Sequence, residues 1–328
     1  MNNNLKSSIN QAIDVIKNSN KLCICSHVEP DGDNIGSTLA LGMALMKMNK
    51  DVRLLRVDDI PQKYLFLPNI EFIKEHDIDE GIDTFIALDC SDMDRLGIGK
   101  KVALKANNVI NIDHHISNTN FGHINIVSPK SAATGELIYK LINKIGVNID
   151  KDIATCLYTA ISTDTGSFMY SNTTYATHLI AAELLQIGID MEDININLYQ
   201  SKSIEKTKLF IDCLNSLELF MDNMIGVISV TQHMLKKNDA KLEDTEGLVS
   251  FVRDINSVEV AVLLKEMEYN EIKASLRSKK KIDVSKICTK FNGGGHKKAA
   301  GCTIYATIAE AKKLILNEIK NEINIALR

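Results

Sequence analysis

Three short apolar runs in the first part of the chain each break off at an acidic or imidazole side chain. Lys21-Leu-Cys-Ile-Cys-Ser26 is followed by His27, Thr84-Phe-Ile-Ala-Leu88 by Asp89, and Asn108-Val-Ile-Asn-Ile112 by Asp113-His114-His115. Runs of this length and composition read as buried strands, with residues 51–57 as a fourth, and the stretches between them leave room for crossover helices. That alternation predicts an α/β domain with a mostly parallel sheet over residues 1–190. Leu5, Ile9, Ile13 and Ile16 recur at helical spacing ahead of the first strand. Further helices are expected at 35–48, 131–145, 150–162 and 175–187, the last stopped by Gly188. Residues 27–33 read as a polar loop to which Gly32 and Gly36 lend backbone freedom.

A helix-rich connector is expected over 191–216. Beyond it the pattern changes to short strands at 219–221, 225–230, 258–264, 271–276 and 300–305, with a hairpin turn at Tyr269-Asn270. A smaller α+β domain is therefore expected over 217–328.

In a parallel sheet the carboxyl ends of the strands open on one crevice. His27, Asp31, Asp33, Asp89, Asp113, His114 and His115 are expected there, joined by Asp164 at the end of the helix-like run 157–164. Singly, each piece has an ordinary reading as a turn, a helix end or a hydrogen-bonded core histidine. Together they form a set of carboxylates that is costly to bury without cations, because each uncompensated charge costs several kcal/mol. Two divalent ions sharing one carboxylate remove that cost. An oxygen-rich shell with imidazoles favours Mn²⁺ over Ca²⁺, with Mg²⁺ as the alternative.

Charge and composition bound the partners. The net charge is −4, tryptophan is absent and aromatics make up 5% of the chain, which argues against a general polyanion binder and against long single or duplex strands. The average conceals an asymmetry: residues 217–328 carry 18 basic against 15 acidic side chains, and residues 1–216 carry 20 against 27. Between 277 and 298, eight Lys and Arg side chains face only Asp283, which reads either as a solvated lysine face or as an anion site. Seven cysteines without paired spacing do not form a disulfide framework, so a reducing cytoplasm is expected. No stretch approaches the roughly 20 apolar residues of a membrane span, and the first twenty residues lack a continuous apolar core, so a soluble, non-exported chain without membrane partners is expected. Cys90, next to Asp89, has no base placed for it and reads as a small buried thiol.

His27-x-x-x-Asp31-x-Asp33-x-x-Gly36-Ser37, Ala87-Leu88-Asp89, Asp113-His114-His115 and Ser162-Thr163-Asp164-Thr165-Gly166 follow in the order of the motifs of the DHH family of phosphoesterases, which the chain resembles over nearly its whole length. The family's C-terminal domain ends in a Gly-Gly-Gly-His loop, here Gly293-Gly294-Gly295-His296, with Arg277-Ser278 upstream. The resemblance implies that His27, Asp31 and Asp89 hold one ion, that Asp33, Asp89, His114 and Asp164 hold the other, and that Asp113 orients the site. It implies that His115 faces the scissile phosphate and assists the leaving group. It sets Arg277 and His296 against substrate phosphate, where Ser278 and the backbone N–H groups of Gly293, Gly294 and Gly295 complete the expected substrate-binding set. Arg95, six residues after Asp89, is a further candidate phosphate ligand and reads equally as a surface residue. With the ions on one domain and this clamp on the other, substrate is expected in the cleft between the domains.

Within the family the two-domain layout is similar to that of bifunctional nanoRNases. The expected substrates are then short oligoribonucleotides, cleaved to mononucleotides, and 3′-phosphoadenosine 5′-phosphate, converted to AMP. A phosphodiesterase for linear or cyclic dinucleotides and a catalytically silent nucleotide sensor are the rival readings. A homodimer is implied by the resemblance alone.

Overall fold

A computed structural model of the chain describes residues 3–75, 81–268 and 270–326. Tyr269, half of the expected hairpin turn, lies outside the described residues. The chain divides into two units, Met1–Ser201 and Lys202–Arg328.

In the first unit six strands pair in parallel: β1 (Lys21–Ser26), β2 (Asp51–Leu55), β3 (Ile73–Lys74), β4 (Thr84–Leu88), β5 (Asn108–Asp113) and β6 (Ile124–Val127), in the order β3-β2-β1-β4-β5-β6. β1, β4 and β5 are buried along nearly their whole length, which is why they appear in the sequence as unbroken apolar runs. From β1 the chain builds outward through β2 and β3, and from β4 it builds the other way through β5 and β6. The adjacent ends of β1 and β4 therefore form the switch point where α/β sheets open a crevice.

The helices of this unit are α1 (Asn3–Asn18), α2 (Gly32–Met46), α3 (Gly99–Ala103), α4 (Thr134–Ile145), α5 (Lys151–Asp164), α6 (Tyr175–Gln186) and α7 (Met191–Asn195), the last running into a π-turn at Ile196–Gln200. α2 starts three residues earlier than the sequence suggests, because the Asp31 carboxylate accepts the Asn34 N–H at 3.0 Å and caps it. Residues 27–33 are thus loop only as far as Asp31, and Gly32 and Gly36 are helical. Both glycines serve close approach: a Cβ on Gly36 would stand 2.4 Å from the Cys156 carbonyl oxygen, and one on Gly32 2.4 Å from Thr163 Oγ1. Long crossover helices are absent between β2 and β4 and between β4 and β5 among the described residues, where 3₁₀ turns and the five-residue α3 make the connections.

The second unit holds α8 (Ile204–Asn215), β7 (Glu218–Phe220), β8 (Ile225–Val230), α9 (Gln232–Lys237), α10 (Leu248–Asp254), β9 (Val260–Glu268), β10 (Glu271–Ser278), α11 (Val284–Thr289), β11 (Gly294–His296), β12 (Ala299–Ile304) and α12 (Ile308–Ala326). Its sheet runs β11-β12-β10-β9-β8-β7, with β8 and β9 parallel and the other neighbours antiparallel. α7 lies in the first unit, whereas α8 buries Leu209 and Cys213 in the second unit's core. Gly294 and Gly295 of the triple glycine open the short strand β11, which is hydrogen-bonded to β12. All seven cysteines are free and buried. No described helix is long and apolar enough to cross a membrane.

Candidate metal centre

Asp89 is the first residue past β4, 2% exposed, with a left-handed φ of +52°. Its Oδ2 lies 3.4 Å from His27 Nε2, and its Oδ1 lies 3.5 Å from His114 Nε2 and 3.6 Å from His115 Nδ1. His27 follows β1, the neighbouring strand, and its Nδ1 meets the Val28 carbonyl at 2.6 Å. That contact places a ring proton on Nδ1 and turns Nε2 toward Asp89 and, at 4.0 Å, Asp31. His114 repeats the arrangement: Nδ1 faces the Ser131 carbonyl at 3.3 Å, and Nε2 looks into Asp33 at 3.8 Å, Asp89 at 3.5 Å and Asp164 at 3.5 Å.

Three groups result in which every donor atom lies within 4.8 Å of the others: His27, Asp31 and Asp89; Asp33, His114 and Asp164; and Asp89, His114 and His115. Asp89 and His114 are each shared by two of them. The six residues that the sequence nominates as ligands are thus brought together from the ends of β1, β4, β5 and α5 and the start of α2.

The carboxylates are held rigidly from behind. Asp33, 1% exposed in the first turn of α2, accepts the Thr134 N–H at 2.6 Å, the Gly135 N–H at 2.9 Å and the Ser37 hydroxyl at 3.0 Å. It therefore also caps α4. Thr134 Oγ1 donates to Asp89 Oδ1 at 3.0 Å, so this one residue fixes two of the acidic groups. Asp113 is fully buried: Oδ1 accepts from His115 Nδ1 at 2.7 Å and from the His114 N–H at 2.8 Å, and Oδ2 accepts from Asn118 at 2.5 Å. Nothing in the residue pattern singles out Thr134, Ser131 or Asn118, because two of them act in part through backbone groups that meet the site only after folding.

The electrostatics show what the arrangement lacks. Burial, reinforced by the charges of Asp89, Asp164 and Asp31, pushes the Asp33 carboxyl well above its ordinary range. Burial, with Asp89 and Asp31 adding to it and His114 opposing, raises Asp164 to about 7. Burial would raise Asp89 too, but the His27 hydrogen bond and the His114 and His115 imidazoles outweigh it and hold the group at about 2. The Asp113 hydrogen bond, against the cost of burial, lifts His115 to about 9, so that ring is a cation at neutral pH. Carboxylates that repel one another, with the His27 and His114 rings turning Nε2 inward, suit divalent cations: the charge balance and the donor types both fit.

The remaining candidates are distributed as follows. Arg95 belongs to this site, its Nη2 3.3 Å from His27 Nδ1. Arg277, Ser278 and the Gly293–His296 segment lie in the second unit, the first two at one end of β10 and the segment just before and along β11. Ser278 is buried, and its hydroxyl donates to the Ile282 carbonyl at 2.6 Å, so it shapes the turn after β10. Gly293 and Gly295 press on β12, where a Cβ would fall 2.3 Å from the Gly301 carbonyl oxygen and 2.5 Å from that of Ala299, respectively. Gly294 has open space on its face.

Residues 21–161 match the DHH family, N-terminal domain, and residues 226–324 match the DHHA1 domain. The chain is 34% identical over 310 residues to the bifunctional oligoribonuclease and PAP phosphatase NrnA of Thermus thermophilus, spanning 92% of this chain and 90% of that one. It is 29% identical over 310 residues to the protein of the same description from Mycoplasma genitalium, spanning 91% and 93%. An exopolyphosphatase-related protein from Bacteroides fragilis has a similar structure, with a TM-score of 0.92 at 30% identity over 98% of each chain.

Proposed function

This chain belongs to the DHH family of metal-dependent phosphoesterases, and on that premise we propose that it hydrolyses oligoribonucleotides of a few residues to mononucleotides and converts 3′-phosphoadenosine 5′-phosphate to AMP. The observation that carries this reading is the meeting of three donor groups at the β1/β4 switch point, two of them sharing Asp89. The substrate pair is that of the relatives described as oligoribonuclease and PAP phosphatase.

In this reading His27, Asp31 and Asp89 hold one ion and Asp33, Asp89, His114 and Asp164 hold the other, with Mn²⁺ preferred over Mg²⁺. Divalent cations held there supply Lewis acidity to the phosphoryl oxygens and to the attacking water. The chain's own groups do the rest. Thr134 and Gly135 keep Asp33 in place, and Asp113 orients His115 and keeps it protonated. The His115 cation then offers its proton to the leaving oxygen, a contribution of about 10²- to 10⁴-fold for a positioned acid. Arg95 binds phosphate beside the centre. In the second unit Arg277, His296 and the backbone N–H groups of the glycine strand bind a further phosphate, with Ser278 shaping the turn beside them.

The seven buried reduced thiols support a cytoplasmic setting. The homodimer is part of the same reading and is checked by light scattering.

The test is one panel: purified protein with Mn²⁺, offered 3′-phosphoadenosine 5′-phosphate, RNAs of two to twenty nucleotides, a linear dinucleotide and pyrophosphate. Phosphate from the first and mononucleotides from the shortest RNAs are expected. Turnover of the dinucleotide alone would favour the dinucleotide phosphodiesterase, and no product from any substrate would overturn the reading.

A further inference from the structure

The corner of the second unit beside Arg277 and His296 is a built cationic ridge. His296 pairs with Ala299 across β11 and β12, and Ala299 pairs with Arg277 across β12 and β10. The turn that follows β10 is folded around Glu259, whose Oε1 accepts the N–H groups of Lys280 at 3.0 Å, Lys281 at 2.5 Å and Ile282 at 3.2 Å. Two lysines pin this turn: Lys279 Nζ donates to the Ile255 carbonyl at 2.6 Å, and Lys298 Nζ donates to the Lys280 carbonyl. Main-chain bonds from Ser278 to Lys298 and from Val284 to Lys297 tie the same turn to the two-residue turn that follows His296.

Both acids of the corner are engaged by local hydrogen bonds. Glu259 holds the turn, and Asp283 accepts from Ser285 at the start of α11. Lys280, Lys281, Lys286 and Lys297 are exposed; among the described residues Lys280, Lys281 and Lys297 enter no ion pair, and Lys286 stands near Asp283. Lys280 and Lys281 on this turn, Lys297 on the turn after His296 and Lys286 in α11 outnumber the two engaged acids, and an anion with regularly spaced charges relieves the excess of positive charge.

We propose that this ridge is a second phosphodiester subsite, which takes the phosphates of an RNA chain beyond the one held by Arg277, His296 and the glycine strand, and so sets how affinity grows with oligonucleotide length. The proposal rests on the oligoribonuclease reading above and adds where the substrate's remaining phosphates go. A dinucleotide, with one internucleotide phosphate, reaches the ridge little; a pentanucleotide, with four, occupies it.

The experiment measures anisotropy of 5′-labelled RNAs of two and five nucleotides with the full chain in EDTA, which stops hydrolysis, over a range of salt. Three proteins are compared: the unaltered chain, the double variant K280Q/K297Q, and K313Q as a control lysine on α12. The double variant is expected to weaken pentanucleotide binding at least about five-fold more than dinucleotide binding. It should also flatten the slope of log affinity against log salt for the pentanucleotide by about 1.4, each single-strand phosphate contact contributing about 0.7. K313Q should change neither. Equal weakening at both lengths, or an unchanged slope, would overturn the proposal and leave the ridge as a solvated lysine face. Absence of turnover in Mn²⁺ would overturn the enzyme reading instead, and the binding comparison stays readable in either event.

Discussion

At Asp89 a φ of +52° turns the chain out of β4 and places one carboxylate within reach of three imidazoles. A non-glycine residue in that region is strained by about 1 kcal/mol or more, and Asn tolerates it nearly as well as Asp. Asp89→Asn therefore removes charge with little change to the backbone. Its kcat is expected to fall by about 10³-fold or more, since a metal's stabilisation of transition-state charge is worth several kcal/mol. Nucleotide affinity retained with no turnover in either protein would instead mark a sensor. His115, held protonated to about 9 chiefly by Asp113, should sustain turnover up to about that pH, with activity falling above it. Asp113→Asn removes the largest cause of the upward shift, so the alkaline limb of the kcat profile should move down toward the ordinary imidazole value of about 6.5. The ligand candidates were legible because each ends an apolar run or a motif that the sequence displays directly. Thr134 and Asn118 were not: Thr134 reaches Asp33 across 101 positions through its backbone N–H, a group every residue but proline has.

Helix α2 shows how an element can be read by composition and misread in its role. Its glycines suggested a flexible loop, yet Gly36 exists to admit the Cys156 carbonyl of α5. Gly36→Ala is expected to cost about 1–3 kcal/mol, because a backbone carbonyl cannot yield, and to lower the melting temperature by several degrees. Gly42→Ala meets only the branched end of Leu54 and should cost much less, so the two melting curves side by side check the argument. On β11, Gly294→Ala should fold normally, since open space surrounds that position; a raised KM with an unchanged melting temperature is expected where the strand's N–H groups bind phosphate. Strands β3 and β6, of two and four residues, escaped the sequence because so short a run carries no periodicity and is fixed by pairing alone. β1, β4 and β5 were legible because burial on both faces leaves no polar alternation to confuse with a helix.

The molecule has separate hydrophobic cores in its two units, and the proposed cation ligands all lie in one of them. Calorimetry should therefore resolve two transitions. Mn²⁺ at about a hundred times its dissociation constant should stabilise the first unit by about 2.7 kcal/mol and leave the other transition in place. The parallel sheet and the α+β second half were both foreseeable, because strand composition and the late change of pattern are local properties. The seating of α8 in the second core was not, because it depends on which surface covers Leu209 and Cys213. The seven thiols sealed in these cores make the chain its own unfolding clock. A maleimide dye should leave the native protein dark and then mark each unit as it opens: Cys23, Cys25, Cys90 and Cys156 report on one, and Cys213, Cys288 and Cys302 on the other.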